Sequence, residues 1–285
     1  MNNTTDIKHR IKSVADTRQI TKAMELISIS KMKKAIKRYE NNAAYFEKVR
    51  YTIKDILLHS HDVEHKYIQH RPNKRTAYIV IAGDKGLAGG YNHNVLTMAW
   101  EHMKTREQRY IITVGQLARE FFENKKQQID LEFTHVSQNP TLHDARGIAR
   151  DILNLYDQNL MDEVLVVYTK LYTTISQKPR IIKLLPVETD DLEDIKVKTC
   201  YTGEILYDPT PKAVLNVLVP QYIVGAVFAT LVQAVASEHC ARMVAMNSAN
   251  KNADKMLDEL NLEYNRARQE KVTNELLEIV STFNI

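Results

Sequence analysis

Glycine and proline are scarce in this sequence, with 8 and 7 among 285 residues. Neither occurs between Asp6 and His59, and neither occurs again after Gly225. Both residue types interrupt helices, so their absence leaves nothing to end a helix in either terminal segment. A helix of about 60 residues would be roughly 90 Å long, far longer than a compact domain of this mass is wide. The sequence therefore predicts two very long terminal helices.

Cysteine and long apolar runs are also scarce. The two cysteines, Cys200 and Cys240, lie far apart and lack metal-ligand spacing, which favours reduced structural thiols in a cytosolic protein. No run approaches 18 consecutive apolar residues, and the N-terminus lacks the apolar core of a signal peptide. We therefore expect a soluble or peripheral protein without a transmembrane segment.

A net charge of only +4 conceals an asymmetry between the two ends of the chain. From Asp6 to Arg50 there are twelve Lys or Arg residues against five Asp or Glu, whereas from Glu238 to Glu278 there are six against eight. Helices of opposite charge bias are suited to pairing with each other.

The apolar residues of the C-terminal segment recur every three or four positions, as in a coiled-coil seam. The predicted seam consists of Met246, Ala249, Ala253, Met256, Leu260, Tyr264 and Ala267. It then breaks and resumes at Val272, Leu276, Ile279 and Phe283. The break predicts that the neighbours of this helix change near its end.

The N-terminal segment has a similar seam. Its predicted members are Ile7, Ile11, Val14, Ile20, Met24, Ile27, Met32, Ile36, Tyr39, Ala43, Phe46, Val49, Ile53 and Ile56. A narrow apolar stripe cannot stabilise a long helix alone, so each terminal helix needs a partner. An antiparallel pair satisfies both.

The middle of the chain has a different pattern. Short apolar runs at Thr76–Ala82, Arg109–Val114 and Glu163–Tyr168 alternate with helical segments, which predicts a parallel sheet covered on both faces. Residues from Pro179 to Pro186 suggest an edge strand because prolines flank them. The predicted fold is α/β, with a long antiparallel coiled coil of N- and C-terminal helices and an inserted Rossmann-like α/β domain. The expected domains are 1–59, 75–200 and 209–285.

Catalytic and cofactor motifs are not apparent. The stretch Gly83–Gly90 follows a strand, but it matches neither a Walker loop nor G-x-G-x-x-G, which favours a tight turn over a nucleotide site. The histidines at 59, 61, 65 and 70 indicate a solvated loop rather than a metal site. Neither Ser237-Glu238-His239 nor His143-Asp144 has the context of a hydrolytic triad. We expect no metal, no cofactor and no catalytic residue.

A basic cluster lies in the N-terminal helix and consists of Lys31, Lys33, Lys34, Lys37 and Arg38. Nucleic acid, a membrane surface, an acidic protein or a simple solvated face would each account for it. Aromatic residues are not interleaved with these charges, so nucleic acid is not expected.

Several blocks resemble the gamma subunit of F-type ATP synthase, in family order and over nearly the whole chain. They are Ile20–Glu25 with Ser30–Met32, Gly83–Asn92, Ala236–Met246, Tyr264–Gln269 and Thr273–Val280. The resemblance implies a non-catalytic rotor shaft inside a ring of three alpha and three beta subunits, with catalytic sites on the beta subunits. It also implies contacts with the epsilon subunit and the membrane c ring, at the cytoplasmic face of a bacterial plasma membrane.

The resemblance also implies which residues contact other subunits and transmit torque. They are Lys22, Met24, Lys31, Lys33, Arg242, Arg268, Gln269 and Thr273. The chain departs from the family at Asn247, Ser248, Asn250 and Lys251, where Lys-Ala-Ala-Thr-Asp is usual, and its tail at 281–285 is bulkier. Two other functions are kept open: a ligand-binding module that dimerises through a stalk, and an enzyme that binds phosphate at the Gly83 loop.

Overall fold

The computed structural model describes residues 4–60, 64–71, 75–134, 136–173, 176–189, 192, 195 and 207–283. Cys200, His61 and the side chains of the tail at 280–285, for which the sequence made predictions, lie outside the described part. The chain forms two compact units. The coiled-coil unit consists of Met1–Ile29 with Arg242–Ile285, and the sheet unit consists of Ser30–Ala241.

The described residues form five α-helices and five strands. The helices are α1 (Thr4–His59), α2 (Tyr91–Met103), α3 (Gln116–Asn124), α4 (Leu142–Asp157) and α5 (Pro211–Phe283), with a 3₁₀ turn at Val136–Gln138. The strands are β1 (Thr76–Ile81), β2 (Arg109–Val114), β3 (Leu131–Phe133), β4 (Glu163–Leu171) and β5 (Gln177–Leu185). The two predicted long helices are confirmed.

Helix α5 begins well before Gly225 and passes through both Pro220 and Gly225. Thr210 caps its start, because the Thr210 hydroxyl accepts a 3.2 Å hydrogen bond from the backbone N–H of Ala213. Gly225 is required by packing rather than by backbone conformation. A Cβ there would lie only 2.2 Å from Cδ1 of Phe46, so α1 and α5 approach too closely for any side chain.

The sheet has the strand order β3-β2-β1-β4-β5. The first four strands are parallel, but β5 pairs antiparallel with β4, so the expected parallel sheet is in fact mixed. The physical reason is the connection: β4 ends at Leu171 and β5 begins at Gln177, too few residues for the crossover that a parallel pair needs. The prediction that β5 lies at an edge is confirmed.

Both faces of the sheet are covered, which explains why every residue of β1 is buried. On one face, Tyr78 and Val80 pack in a cluster with residues of α2 and α3. On the other face, Ala77, Ile79 and Ile81 pack in the larger core with residues of α1, α4 and α5. Consecutive residues of a strand point to opposite faces, so a strand buried on both faces is apolar throughout.

The single tryptophan of the chain, Trp100, lies at the edge of the α2–α3 cluster and is partly buried. Three cations surround its ring: the charged ends of Lys104, Arg109 and Lys125 lie 5.7, 5.5 and 5.8 Å from the ring centroid. These distances are within the range of cation–π attraction.

One stretch of α5 is long and apolar enough, by length and composition, to cross a membrane, and half of it is buried inside the fold. Counting uninterrupted apolar runs in the sequence did not detect it. Leu215, Val219, Ile223, Val227 and Leu231 of α5 belong to the core beside the sheet. Packing in that core accounts for the apolar character of the stretch.

In the coiled-coil unit, α1 and α5 run antiparallel. Arg18 Nε lies 2.6 Å from Asp254 Oδ1, and further along α1 the hydroxyl of Thr21 donates to Asn250 Oδ1. Asn250 Nδ2 in turn donates 2.8 Å to Glu25 Oε2. Thr21 and Glu25 come after Arg18 in α1, but their partner Asn250 comes before Asp254 in α5. This order confirms the predicted antiparallel pairing.

Before the break at Ala267, the predicted seams are wrong at four positions, one of which is Tyr39, 37% exposed. Ile20 and Ile27 are 62% and 56% exposed, and Met256 is 49% exposed. The inward residues alternate in steps of four and three instead, as heptads require. On α5 they are Met246, Asn250, Ala253, Leu257, Leu260, Tyr264 and Ala267. On α1 they include Ile7, Ile11, Val14, Thr21, Glu25 and Ser28. Polar residues at seam positions concealed the true register.

Candidate interaction surfaces

The glycine-rich stretch Gly83–Gly90 is a structural turn between β1 and α2. Leu87 and Gly89 have φ values of 62° and 56°, and the side-chain oxygen of Asn92 accepts a 2.8 Å hydrogen bond from the Gly83 N–H. The buried carboxylate of Glu238 faces the turn, because a Cβ added at Gly83 would lie about 3 Å from its oxygens. A phosphate would be repelled by that carboxylate, whereas phosphate-binding turns present only N–H groups and cations.

The other sequence candidates for catalysis have structural roles. The Ser237 hydroxyl is buried and donates 2.9 Å to the Thr169 carbonyl, so it is not a nucleophile. Asp144 forms a capping box with Thr141 at the start of α4. Among the described residues, no group of three His, Cys, Asp or Glu side chains could hold a metal.

The histidine segment differs from its prediction as a solvated loop. His65 is 2% exposed. Its Nδ1 accepts from the Tyr67 N–H at 3.3 Å, which leaves the proton on Nε2 to donate to Asn216 Oδ1 at 3.0 Å. The ring joins this segment to the first turns of α5. Burial lowers the pKa of His65 from its ordinary value of 6.5.

In α1, three of the four candidate contact residues are exposed. Lys22 is exposed, and its Nζ donates 3.1 Å to Glu25 Oε2, the oxygen that also accepts from Asn250. Met24 is half-buried, and its carbonyl accepts from the Ser28 hydroxyl. Within the sheet unit, Lys31 and Lys33 are exposed and form no ion pair with a described residue.

In α5, Arg242 is buried, while Arg268, Gln269 and Thr273 are exposed. The Thr273 hydroxyl donates 2.9 Å to the Gln269 carbonyl, a bond within one helix. Arg268 and Thr273 point roughly 140° apart around the helix axis. Gln269 and Thr273 are one turn apart and lie on nearly the same side of the helix, whereas Arg268 points away from them. None of the three meets a side chain of another described element.

Every residue from Arg268 to Ile279 is exposed, including four large apolar side chains. They are Val272, Leu276, Leu277 and Ile279. The register set by Arg18 and Asp254 brings Thr4, the first residue of α1, opposite Arg268. The end of the partner helix therefore coincides with the predicted break in the seam. An apolar stretch exposed in this way is typical of a surface that binds another protein.

Sequence reasoning missed a group of polar residues at the pairing face. Arg18, Thr21 and Glu25 of α1 face Asn250 and Asp254 of α5. The sequence does contain a signal for this group, because polar residues recur at heptad spacing on both helices. The signal can be recognised only when the two helices are aligned against each other.

Comparisons with known proteins agree over nearly the full length of the chain. The family model described as ATP synthase matches residues 3–284. The ATP synthase gamma chain of Ruminiclostridium cellulolyticum is 47% identical over 285 residues, covering 98% of this chain and 97% of that one. The Acetobacterium woodii protein named ATP synthase gamma chain, sodium ion specific, is 37% identical over 98% of this chain and 97% of its own length.

Solved structures share the fold. A chain in the OSCP/F1/c-ring of Euglena gracilis mitochondrial ATP synthase, in rotational state 3, matches 99% of this chain and 93% of its own length. Its TM-score is 0.70 at 18% identity. A chain of the rotor of the same enzyme matches with a TM-score of 0.65, also at 18% identity, over 94% of this chain and 98% of its own. Because the family model spans almost the whole sequence and a relative shares 47% identity over 98% of it, the chain belongs to the ATP synthase gamma chain family.

Proposed function

We propose that this chain is the non-catalytic central shaft of an F-type ATP synthase. By rotating, it couples ion flow through the membrane sector to ATP synthesis or hydrolysis at the beta subunits. The supporting observation is the exposed end of α5, where the large apolar side chains of Val272, Leu276 and Leu277 are 49%, 57% and 61% exposed. Such a helix end is stable only inside a larger assembly.

The proposed partners are the ring of three alpha and three beta subunits, the epsilon subunit and the c ring. The chain is peripheral to the membrane and acts at the cytoplasmic face of a bacterial plasma membrane. Within the ring, Arg268, Gln269 and Thr273 contact the surrounding subunits near the end of α5. Lys22, Met24 and Arg242 contact them farther from that end. Lys31 and Lys33 meet acidic segments of the beta subunits, in contacts worth about 0.2–1 kcal/mol each.

The first experiment is reconstitution. Tagged chain co-expressed with alpha and beta subunits should purify as one complex that hydrolyses ATP, whereas the chain purified alone should neither bind nor hydrolyse ATP. Turnover by the isolated chain would contradict the proposal, and so would a stable homodimer that excludes alpha and beta.

A second experiment tests rotation. Leu276→Cys would be cross-linked to a cysteine introduced into one beta subunit, and hydrolysis should stop and then return on reduction. Cross-linked complexes that hydrolyse ATP at the uncross-linked rate would show that the helix does not need to turn. Complexes with Leu276→Cys alone, treated with the same oxidant, are the control.

A further inference from the structure

A groove of about 910 Å³ crosses the surface of the sheet unit between α4 and the α1–α5 pair. One wall is a continuous face of α4 from Leu142 to Asp157, roughly 22 Å long at 1.5 Å per residue. The opposite wall consists of α1 around Asn42 and Phe46 and of α5 from Pro220 to Val224. Three helices thus border a trough long enough for about four turns of a further helix.

The lining of this groove is mainly apolar. Leu142, Ala149 and Leu153 of α4 face Phe46 of α1 and Val224 of α5. All except the buried Ala149 are only partly buried, so they keep apolar surface that the fold itself does not cover. Apolar grooves bordered by helices commonly receive the apolar face of another helix.

Gly147 provides space in the α4 wall. A Cβ added there would meet no atom within 4 Å, whereas one added at Gly225 would collide with Phe46. Gly147 has no positive φ that would require glycine. Glycine in a helix interior costs about 0.5–1 kcal/mol relative to alanine, and nothing in the fold of this chain requires it at 147. The missing side chain leaves room for one from a partner.

The same wall carries positive charge. Arg146 and Arg150 lie one helical turn apart beside the exposed His143, and both arginines are exposed. Arg146 forms no ion pair with any described residue, and the 3.4 Å contact of Arg150 is with its own neighbour Asp151. The acidic residue at the far end, Asp157, is already paired with Lys66 at 2.8 Å.

We propose that this groove binds an acidic amphipathic helix from a partner polypeptide. Its apolar side chains would pack on the lining, with one of them entering the space at Gly147, and its Asp or Glu side chains would face Arg146 and Arg150. Arg146 and Arg150 are four positions apart, the interval at which acidic residues recur on one face of a helix, so each arginine can face its own carboxylate. The inference does not depend on the proposed rotor role.

The test uses two synthetic fluorescent peptides of about fifteen residues, the number of residues in a helix as long as the α4 wall. Both have leucine along one face. One has glutamate along the flanking positions, and the other has lysine there. We expect the glutamate peptide to bind the full chain with a Kd of about 10 µM by fluorescence anisotropy, at least about tenfold more tightly than the lysine peptide.

Two variants test the groove itself. Gly147→Leu fills the space with a good helix former and should weaken binding about tenfold or more. Arg146→Glu with Arg150→Glu should reverse the preference between the peptides. Lys125→Glu with Lys126→Glu makes the same charge change on exposed residues outside the groove and should leave both affinities unchanged.

Three results would overturn the proposal. The first is equal affinity for the two peptides. The second is unchanged binding by Gly147→Leu when its circular dichroism and thermal midpoint match those of the original chain. In the third, the chain binds phosphatidylglycerol vesicles but not the glutamate peptide, and the groove variants lose the binding to vesicles. That result would identify a lipid site instead.

Discussion

Asn250 and Glu25 form a 2.8 Å hydrogen bond between the two helices of the coiled-coil unit, from the amide Nδ2 to the carboxylate Oε2. Asn250 is buried, and its other side-chain atom, Oδ1, accepts from the Thr21 hydroxyl. A buried asparagine satisfied on both sides holds two helices in one register, because any slip leaves it unpaired. A threonine at position 250, which the resemblance to the family implies as the usual residue, would be too short to make both contacts.

The bond between these residues can be measured with a double-mutant cycle. We expect Asn250→Ala and Glu25→Ala each to lower the free energy of unfolding of the coiled-coil unit by about 1–2 kcal/mol, and the double variant to lose less than the sum. The coupling energy should be about 1 kcal/mol, measured by urea denaturation followed at 222 nm. Strictly additive effects would contradict the bond. Exposed Asn247→Ala is the control.

Replacing Gly225 and Gly147 with alanine should change the free energy of unfolding in opposite directions. Gly225→Ala places a methyl group 2.2 Å from Phe46 and should lower the free energy of unfolding by about 1–3 kcal/mol. Gly147→Ala meets nothing within 4 Å and should raise it by about 0.5–1 kcal/mol. Thermal unfolding of both variants gives the measurement. Equal shifts of the same sign would show that the contact with Phe46 is not what requires glycine.

Acid should destabilise the sheet unit through His65. Burial lowers its pKa in the folded chain, with Lys66 and Lys212 acting in the same direction, while its bond to Asn216 and the charge of Asp157 act against them. Below pH 6.5 the unfolded chain therefore binds a proton that the folded chain does not, so the free energy of unfolding falls as pH falls. We expect the free energy of unfolding of His65→Gln, measured by urea denaturation, to fall less between pH 7.5 and 5.5 than that of the original chain. The control is His9→Gln at an exposed position, which should show the same fall as the original chain.

The exposed end of α5 should matter to the assembled complex and not to the isolated chain. Changing Arg268, Gln269 and Thr273 together to alanine should lower the rate of ATP hydrolysis or the yield of complex. The free energy of unfolding of the isolated chain should stay within about 0.5 kcal/mol, since all three residues are exposed. Undiminished ATP hydrolysis at full yield of complex would show that these three residues are not contacts with other subunits.

Met24→Lys should reduce the coupling of rotation to catalysis. Met24 is half-buried, and the exposed Lys22 and Ala23 precede it, so a new positive charge there would alter the surface that we propose faces the ring of alpha and beta subunits. The measurement is the number of ions pumped per ATP hydrolysed in vesicles containing the whole enzyme. Met24→Leu keeps the size without the charge and should keep the ratio. An unchanged ratio with lysine would show that this surface does not carry torque.

Much of the fold could be predicted from the sequence because its signals are local. The absence of glycine and proline predicts α1 and the end of α5, and runs such as Tyr78–Ile81 predict strands buried on both faces. Register could not be predicted in the same way. Ile20 and Ile27 looked like seam residues, but they are exposed because Thr21 and Ser28 occupy the inward positions. Only the pairing with α5 identifies those positions.

The candidate surfaces were predictable to different extents. The break in the seam after Ala267 is visible in the spacing of apolar residues, and it agrees with the exposure of α5 from Arg268 onward. The groove beside α4 is not visible in the sequence, since Phe46, Gly147 and Val224 are distant in the chain and meet only in the folded state. His65 was misjudged for the same reason: its partner Asn216 lies 151 residues away.

The position of Trp100 has a practical consequence for spectroscopy. It is the one tryptophan of the chain, and it lies in the sheet unit against α2 and α3. Emission excited at 295 nm therefore reports on that unit alone. The positive charges of Lys104, Arg109 and Lys125 around the indole should make quenching by iodide stronger than quenching by a cation such as caesium. Far-ultraviolet circular dichroism is dominated by α1 and α5. Because both helices also run through the sheet unit, a loss of circular dichroism that comes before any change in emission identifies melting of the coiled-coil unit.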